Sequence, residues 1–152
     1  MHPDASEFLK TAGIELPLIG LYDAPDRTPF EPSVSPKPGA HACVFAFFKS
    51  WLGGRSAVFT REAFGCSGFG KHVFGVSSGP REAFIDFLYG QEGLKASREL
   101  MEAWIDRMEC YEPENEFIVV GPLRDEQYEY LRTVTFFVNP DQLALMVYAV
   151  HY

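Results

Sequence analysis

The chain has 152 residues, of which 47% are hydrophobic and 15% aromatic, and this is enough apolar mass for one domain with its own core. The formal net charge of −8 would repel a phosphate backbone, and no cluster of lysines and arginines offers a local exception, so nucleic acid is excluded as a partner. No apolar run approaches the roughly 20 residues that span a bilayer, and the N-terminus lacks a signal-peptide pattern, so we expect a cytoplasmic protein without a membrane partner.

The first third of the chain predicts a helix, a strand and a loop. A capping-box pattern near the N-terminus opens a short helix that Gly13 can end. The apolar run at residues 14–22 is compatible with a strand, although Pro17 favours a strand start or a sheet edge. Five prolines between residues 24 and 39 then predict an extended loop or arm on the surface.

The middle of the chain alternates between helical and extended patterns. Residues 41–52 predict a buried helix that ends at a pair of glycines, and residues 56–60 predict a short strand. Residues 72–77 are compatible with another strand. Pro80 is then expected in the first position of the next helix, because proline is tolerated where no backbone N–H is needed.

Residues 96–108 carry the strongest helical periodicity. Leu100, Trp104 and Met108 recur four residues apart, with Met101 and Ile105 beside them, and this pattern is typical of an amphipathic helix. We expect this helix to pack on a sheet.

The last part of the chain predicts two strands and a helix. Residues 116–120 and 133–138 are the best strand candidates, and Asn139 with Gln142 has the spacing of a capping box before an apolar helix. The mixed order of elements predicts an α+β fold, with a mixed, largely antiparallel sheet and packed helices in a single domain over residues 1–152.

A cysteine within a glycine-rich turn is the most informative local feature. Cys66 lies among Gly65, Ser67, Gly68 and Gly70, and glycines allow a positive φ and a close approach of the backbone to a ligand. A thiol in such a turn is expected to be accessible, and the surrounding N–H groups could stabilise a thiolate or an anion. We therefore predict a ligand-binding turn here.

A second soft-ligand pair precedes this turn. His41 and Cys43 open an apolar run, and with Cys66 and His72 they would suit tetrahedral zinc chemically. No closely spaced pair of ligands enforces that geometry, and Cys43 is equally well explained as a core residue. An iron–sulfur cluster normally takes four cysteines, and the chain has three, so no cofactor is assigned.

Several of these blocks together resemble a known family. The blocks LPLIGLY, VFTREAFGCSGFGKHVFG, EFIVVGPL and FFVNPDQLALMVYA, with a cysteine at Cys43, are similar in order and spacing to domain-of-unknown-function family 169, labelled uncharacterised ArCR. The resemblance implies a prokaryotic, cytoplasmic α+β protein with no established activity, whose recurrent cysteines correspond to Cys43 and Cys66. Family members usually continue with further strands, so we expect either a naturally short version or one that lacks part of the usual site.

Three functions follow from these patterns. The first is a binding or accessory module for a small ligand or redox group, with Cys43, Cys66 and the backbone of residues 65–70 as contacts. The second is a thiol-dependent enzyme or a metal or iron–sulfur redox protein in which Cys66 reacts. The third is a homodimeric interaction subunit that covers an unpaired edge at residues 133–138.

Overall fold

The computed structural model describes residues 7, 9–37, 40, 42–65, 72 and 80–151. Its strands form one five-stranded sheet in the order β2-β3-β4-β1-β5, in which only the β2–β3 pair is parallel. The predicted α+β class with a mixed, largely antiparallel sheet is therefore confirmed. The strands are β1 (Ile19–Ala24), β2 (Ser33–Val34), β3 (Ser56–Thr60), β4 (Phe117–Pro122) and β5 (Leu131–Thr135).

The first strand lies between the last two. β1 pairs antiparallel with β4 from Ile19 opposite Pro122 to Ala24 opposite Phe117, and its other edge pairs with β5. The strand begins later than the predicted residues 14–22, after Pro17, because proline has no N–H to donate to a ladder. Because it pairs on both sides, β1 is buried along nearly its whole length.

The helices lie outside the sheet and are short except for the last. They are α1 (Phe48–Leu52), α2 (Arg81–Asp86), α3 (Arg98–Asp106) and α4 (Pro140–His151), with a 3-10 segment (Val44–Phe47) before α1 and a π turn (Phe87–Gln91) after α2. Within the described part of the chain, no helix is both long and apolar enough to cross a membrane.

Two local predictions for helix ends are confirmed. Gly13 has a φ of 66°, and the N–H groups of Gly13 and Ile14 bond back to the carbonyls of Lys10 and Leu9, which is the Schellman pattern for a helix end. At the start of α4, the Asn139 side chain accepts from the Gln142 N–H, and the Gln142 side chain accepts from the Asn139 N–H, both at 2.9 Å.

The two faces of the sheet carry separate apolar clusters. One face packs against α1 and the 3-10 segment before it, and the other packs against the 24–39 segment through the fully buried Phe30. In the 24–39 segment, β2 adds a parallel edge to β3. The first cluster contains Ile19, Trp51, Ala57, Phe59, Phe64, Ile118 and Val120, and the second contains Tyr22, Ala24, Phe30, Val58 and Val119.

The predicted helix at residues 96–108 is real, but its packing partner was predicted wrongly. It spans Arg98–Asp106 and buries Met101 and Ile105, whereas Leu100 is 56% exposed. Its apolar residues join those of α2 in a third cluster, so it packs on a helix and not on the sheet. Periodicity locates an apolar stripe, but the neighbouring element selects which residues of that stripe are buried.

The segment at residues 41–52 is also less regular than predicted. It forms the 3-10 segment and then α1, and Trp51 is its one buried residue among those described. The aromatic side chains cover the sheet from one side only, so Phe45 remains 59% exposed. Pro80 lies at the N-cap of α2, one position before the predicted one.

The C-terminal strands are shifted from their predicted bounds. β4 covers Phe117–Pro122, and β5 covers Leu131–Thr135, earlier than the predicted 133–138. The run after β5 leaves the sheet because Phe137 packs edge-to-face on Phe48, with ring centroids 4.9 Å apart. The predicted strand at 72–77 lies outside the described residues apart from His72.

Candidate functional site

Two segments that carry predicted site residues lie side by side. After β3, a 3-10 turn (Arg61–Ala63) leads to Phe64, which is buried in the first sheet cluster. Ala42 and Phe64 form an isolated parallel bridge, in which the Ala42 N–H donates to the Ala63 carbonyl at 3.3 Å. The next residues in the two segments are Cys43 and Gly65. We call the four residues Ala42, Cys43, Phe64 and Gly65 the bridge locus.

The two outer residues of the bridge locus differ in access and conformation. Cys43 is an exposed free cysteine, and its carbonyl accepts the Ala46 N–H at 3.0 Å in the first turn of the 3-10 segment. Gly65 is buried and has a φ of 81°, a conformation that favours glycine. The prediction that this glycine permits an unusual backbone is therefore correct, and the interpretation of Cys43 as a core residue is wrong.

The remaining residues of the predicted turn are not described. Cys66, Ser67, Gly68 and Gly70 lie outside the described residues, as does His41. A joint site of Cys43 and Cys66 therefore stays a prediction. The bridge joins Ala42, one residue before Cys43, to Phe64, two residues before Cys66.

Aromatic packing forms the floor beneath the bridge locus. The Phe59 ring meets both Phe47 and Phe64 edge-to-face, at centroid distances of 5.3 and 5.2 Å. Trp51 meets Phe45 and Phe48 in the same way. Such close ring contacts fix Phe64 and therefore the backbone at the bridge.

The predicted metal set stays a prediction, because two of its members, His41 and Cys66, lie outside the described residues. Among the described residues, no group of three or more His, Cys, Asp or Glu side chains is placed to hold a metal ion. His72 packs on Phe84 of α2, with ring centroids 4.9 Å apart, and Cys43 follows the Ala42–Phe64 bridge. The third thiol, Cys110, is exposed near the end of α3.

A buried carboxylate that sequence patterns did not single out lies in β1. Asp23 is fully buried and accepts hydrogen bonds from the Tyr111 hydroxyl and from the N–H groups of Glu114 and Asn115, the latter two at 2.8 and 2.9 Å. The Asn115 side chain donates to the Asp23 carbonyl, and Arg132 Nε donates to the Tyr111 hydroxyl at 3.1 Å. The sequence offered one signal for this buried carboxylate, which is that Asp23 directly follows the apolar run of the predicted strand.

The ionisation of this network is fixed at neutral pH. Burial raises the pKa of Asp23, but the hydrogen bonds from Tyr111, Glu114 and Asn115 outweigh it and hold that pKa below its usual value. Burial and the bond to Asp23 raise the pKa of Tyr111. Because the carboxylate is already satisfied by three hydrogen-bond donors, the network stabilises the fold and does not offer a general base.

A groove of about 420 Å³ lies beside the end of β4 and contains no predicted site residue. Arg124 crosses from it to the carbonyls of Pro29, Phe30 and Glu31, at 3.1–3.4 Å, and so holds that turn against the sheet. Two of its lining residues, Asp125 and Glu126, are carboxylates, so the groove is a poor fit for an anion. The groove is lined by Pro17, Leu18, Pro122, Leu123, Arg124, Asp125 and Glu126.

Comparison with known proteins gives one match. The family model DUF169, described as uncharacterised ArCR, matches residues 18–152. Neither a curated protein nor a solved structure matches the chain.

Proposed function

Because this chain belongs to the DUF169 family, described as uncharacterised ArCR, we propose a function from its own residues: it binds a small ligand or redox group at the bridge locus and the glycine turn that follows. The observation that carries this proposal is the parallel bridge between Ala42 and Phe64. It joins the two segments whose cysteines the sequence predicts as ligand contacts, namely Cys43 and Cys66.

Chain connectivity supports a shared site for two thiols. Cys43 follows Ala42 directly, and Cys66 follows Phe64 by two residues, which span at most roughly 7 Å. The exposed Cys43 thiol offers a soft ligand or a covalent attachment point. The positive φ of Gly65 turns the backbone at the bridge, and successive N–H groups in such turns form anion-binding concavities.

The packed aromatic rings beneath Phe64 favour a site that is already formed before the ligand binds. The edge-to-face contact between Phe59 and Phe64 holds one side of the locus, and Phe45, two residues after Cys43 in the chain, is largely exposed. An exposed aromatic ring and an exposed thiol two residues apart in the chain offer apolar contact and a soft ligand to the same small molecule. A planar organic group or a small redox centre would use both.

The test compares serine variants of the three cysteines. Protein purified without oxygen is examined by native mass spectrometry, elemental analysis and visible absorbance. We expect a bound species that is lost in Cys43→Ser and Cys66→Ser and retained in Cys110→Ser, which is the matched control because Cys110 is also an exposed thiol. Retention of the species in all three variants would overturn the proposal, as would its absence from the unaltered protein.

The identity of the bound species separates the proposal from its alternative. An organic molecule without metal supports a binding or accessory module. Stoichiometric zinc, or iron with sulfide, would replace it with the metal or iron–sulfur alternative, and turnover of a thiol-reactive substrate that depends on Cys66 would favour the enzyme.

A further inference from the structure

The outer edge of β5 is an exposed strand edge. β5 is the last strand in the sheet order, and no strand in the described ranges pairs with its outer side. Thr133, Val134 and Thr135 are all exposed, with Val134 at 39%. Val134 stands opposite Gly20, which has no side chain to cover it. Among the described residues, the edge therefore presents both backbone groups without a strand partner and an apolar side chain.

The regular part of β5 after Arg132 lacks proline, charge and a bulge. Natural edges are blunted by proline, by lysine or by a bulge. The regular stretch Thr133–Thr135 has none of these, and the register shift against β1 falls before it, at Arg132. The Arg132 side chain turns back to its own chain, where it donates to the Tyr111 hydroxyl and to the Glu129 carbonyl. Its charge therefore does not guard the edge.

The charge distribution favours a second copy as the occupant. Two molecules of net charge −8 repel each other over most of their surfaces. The run between Glu129 and Asp141 contains no carboxylate, so β5 lies at the centre of a stretch where two copies can approach. The stretch is also self-complementary: antiparallel pairing about Val134 places Thr133 opposite Thr135 of the other copy.

We propose that β5 pairs antiparallel with β5 of a second copy of this chain, about a twofold axis at Val134. Backbone hydrogen bonds then extend the sheet to ten strands, and the two Val134 side chains meet across the axis. A three-residue pair buries less than the roughly 800 Å² per partner of a standard interface. The dimer is consequently in exchange with the monomer and forms at micromolar concentration. This inference does not depend on the proposed ligand site.

Sedimentation of charge variants tests the axis directly. The unaltered protein is expected to shift from monomer to dimer between low and high micromolar concentration. Val134→Glu and Val134→Lys should each weaken this association by at least about tenfold, because like charges then face each other at the axis. An equimolar mixture of the two variants should restore the dimer, which a general loss of stability would not do.

The matched control is Leu94→Glu, which places the same charge at another exposed apolar position and should leave association unchanged. Circular dichroism verifies that each variant is folded. A protein that stays monomeric throughout the concentration range would overturn the proposal, and so would a Val134→Glu variant that dimerises as the unaltered protein does.

Discussion

The hydroxyl of Tyr111 donates a hydrogen bond to the carboxylate of Asp23, which lies 88 residues earlier in the chain. The bond joins the segment after α3 to the buried C-terminal end of β1. Two backbone N–H groups, of Glu114 and Asn115, reach the same carboxylate. The loop that leads into β4 is thus held by one side chain of the strand beside β4.

Replacing Asp23 by asparagine should destabilise the protein by about 1–3 kcal/mol at pH 7, because one oxygen that accepts hydrogen bonds becomes a donor facing donors. The pKa of Asp23 is lowered in the folded protein, so its contribution is present above the unfolded pKa, near 4, and is lost as the pH falls through the folded value. Urea unfolding at pH 7 and at pH 3 should show the gap between the two proteins narrowing in acid.

Tyr111→Phe provides the matched test of the same network. It removes a single donor and leaves both backbone donors in place. We expect a smaller loss of stability than for Asp23→Asn. If Tyr111→Phe lost as much stability as Asp23→Asn, the Tyr111 hydroxyl alone would account for the contribution of the network, and the backbone donors would contribute nothing.

Asn139→Ala should destabilise α4 by about 1 kcal/mol, because it removes the side-chain acceptor for the Gln142 N–H. Asn139→Asp is the control, since aspartate accepts the same bond and also favours the positive end of the helix dipole. Thermal unfolding by circular dichroism checks the order. An alanine variant as stable as the aspartate variant would show that the cap contributes nothing.

Met101→Ala should cost about 2–5 kcal/mol, because Met101 is fully buried between α2 and α3 and its loss leaves a cavity. The adjacent Leu100→Ala removes a residue of similar size that is mainly exposed, and should change the free energy of unfolding by no more than about 0.5 kcal/mol. If the two variants were reversed in effect, the observed face of α3 would be wrong.

Gly65→Ala should destabilise the protein by about 1–2 kcal/mol, because a Cβ is disfavoured at a φ of 81°. It should also change the rate at which Cys43 reacts with a thiol reagent, because Gly65 and Cys43 each follow one partner of the Ala42–Phe64 bridge. Gly54→Ala is the control: it shares a positive φ of 77° and carries no link to the bridge. Equal Cys43 rates in both variants would separate Gly65 from the locus.

Local chemistry predicted the features whose partners are close in sequence. Gly13 ends its helix and Asn139 caps α4 because the groups they satisfy lie within a few residues. The partners of Asp23 lie 88 to 92 residues away, so its role could not be read from its neighbours. The choice of Met101 over Leu100 likewise depends on where α2 lies.

The candidate site divides in the same way. The positive φ of Gly65 follows from its place in a glycine-rich turn. The exposure of Cys43 does not follow from its apolar neighbours, because the segment covers the sheet from one side and leaves its outer residues in solvent. The bridge between Ala42 and Phe64 is a tertiary contact that no pattern in either segment specifies.

The position of β1 between β4 and β5 has a kinetic consequence. Every ladder contact of this strand joins residues 19–24 to residues 117–135, so almost the entire chain must be available before either of its edges is paired. Pairings of such long sequence separation are slow to form, because the closure entropy of the loop is lost before any contact repays it. During synthesis this apolar strand therefore stays unpaired on both sides until β4 has left the ribosome, about 100 residues later. Until then the apolar side chains of β1 are available for contact with other nascent chains.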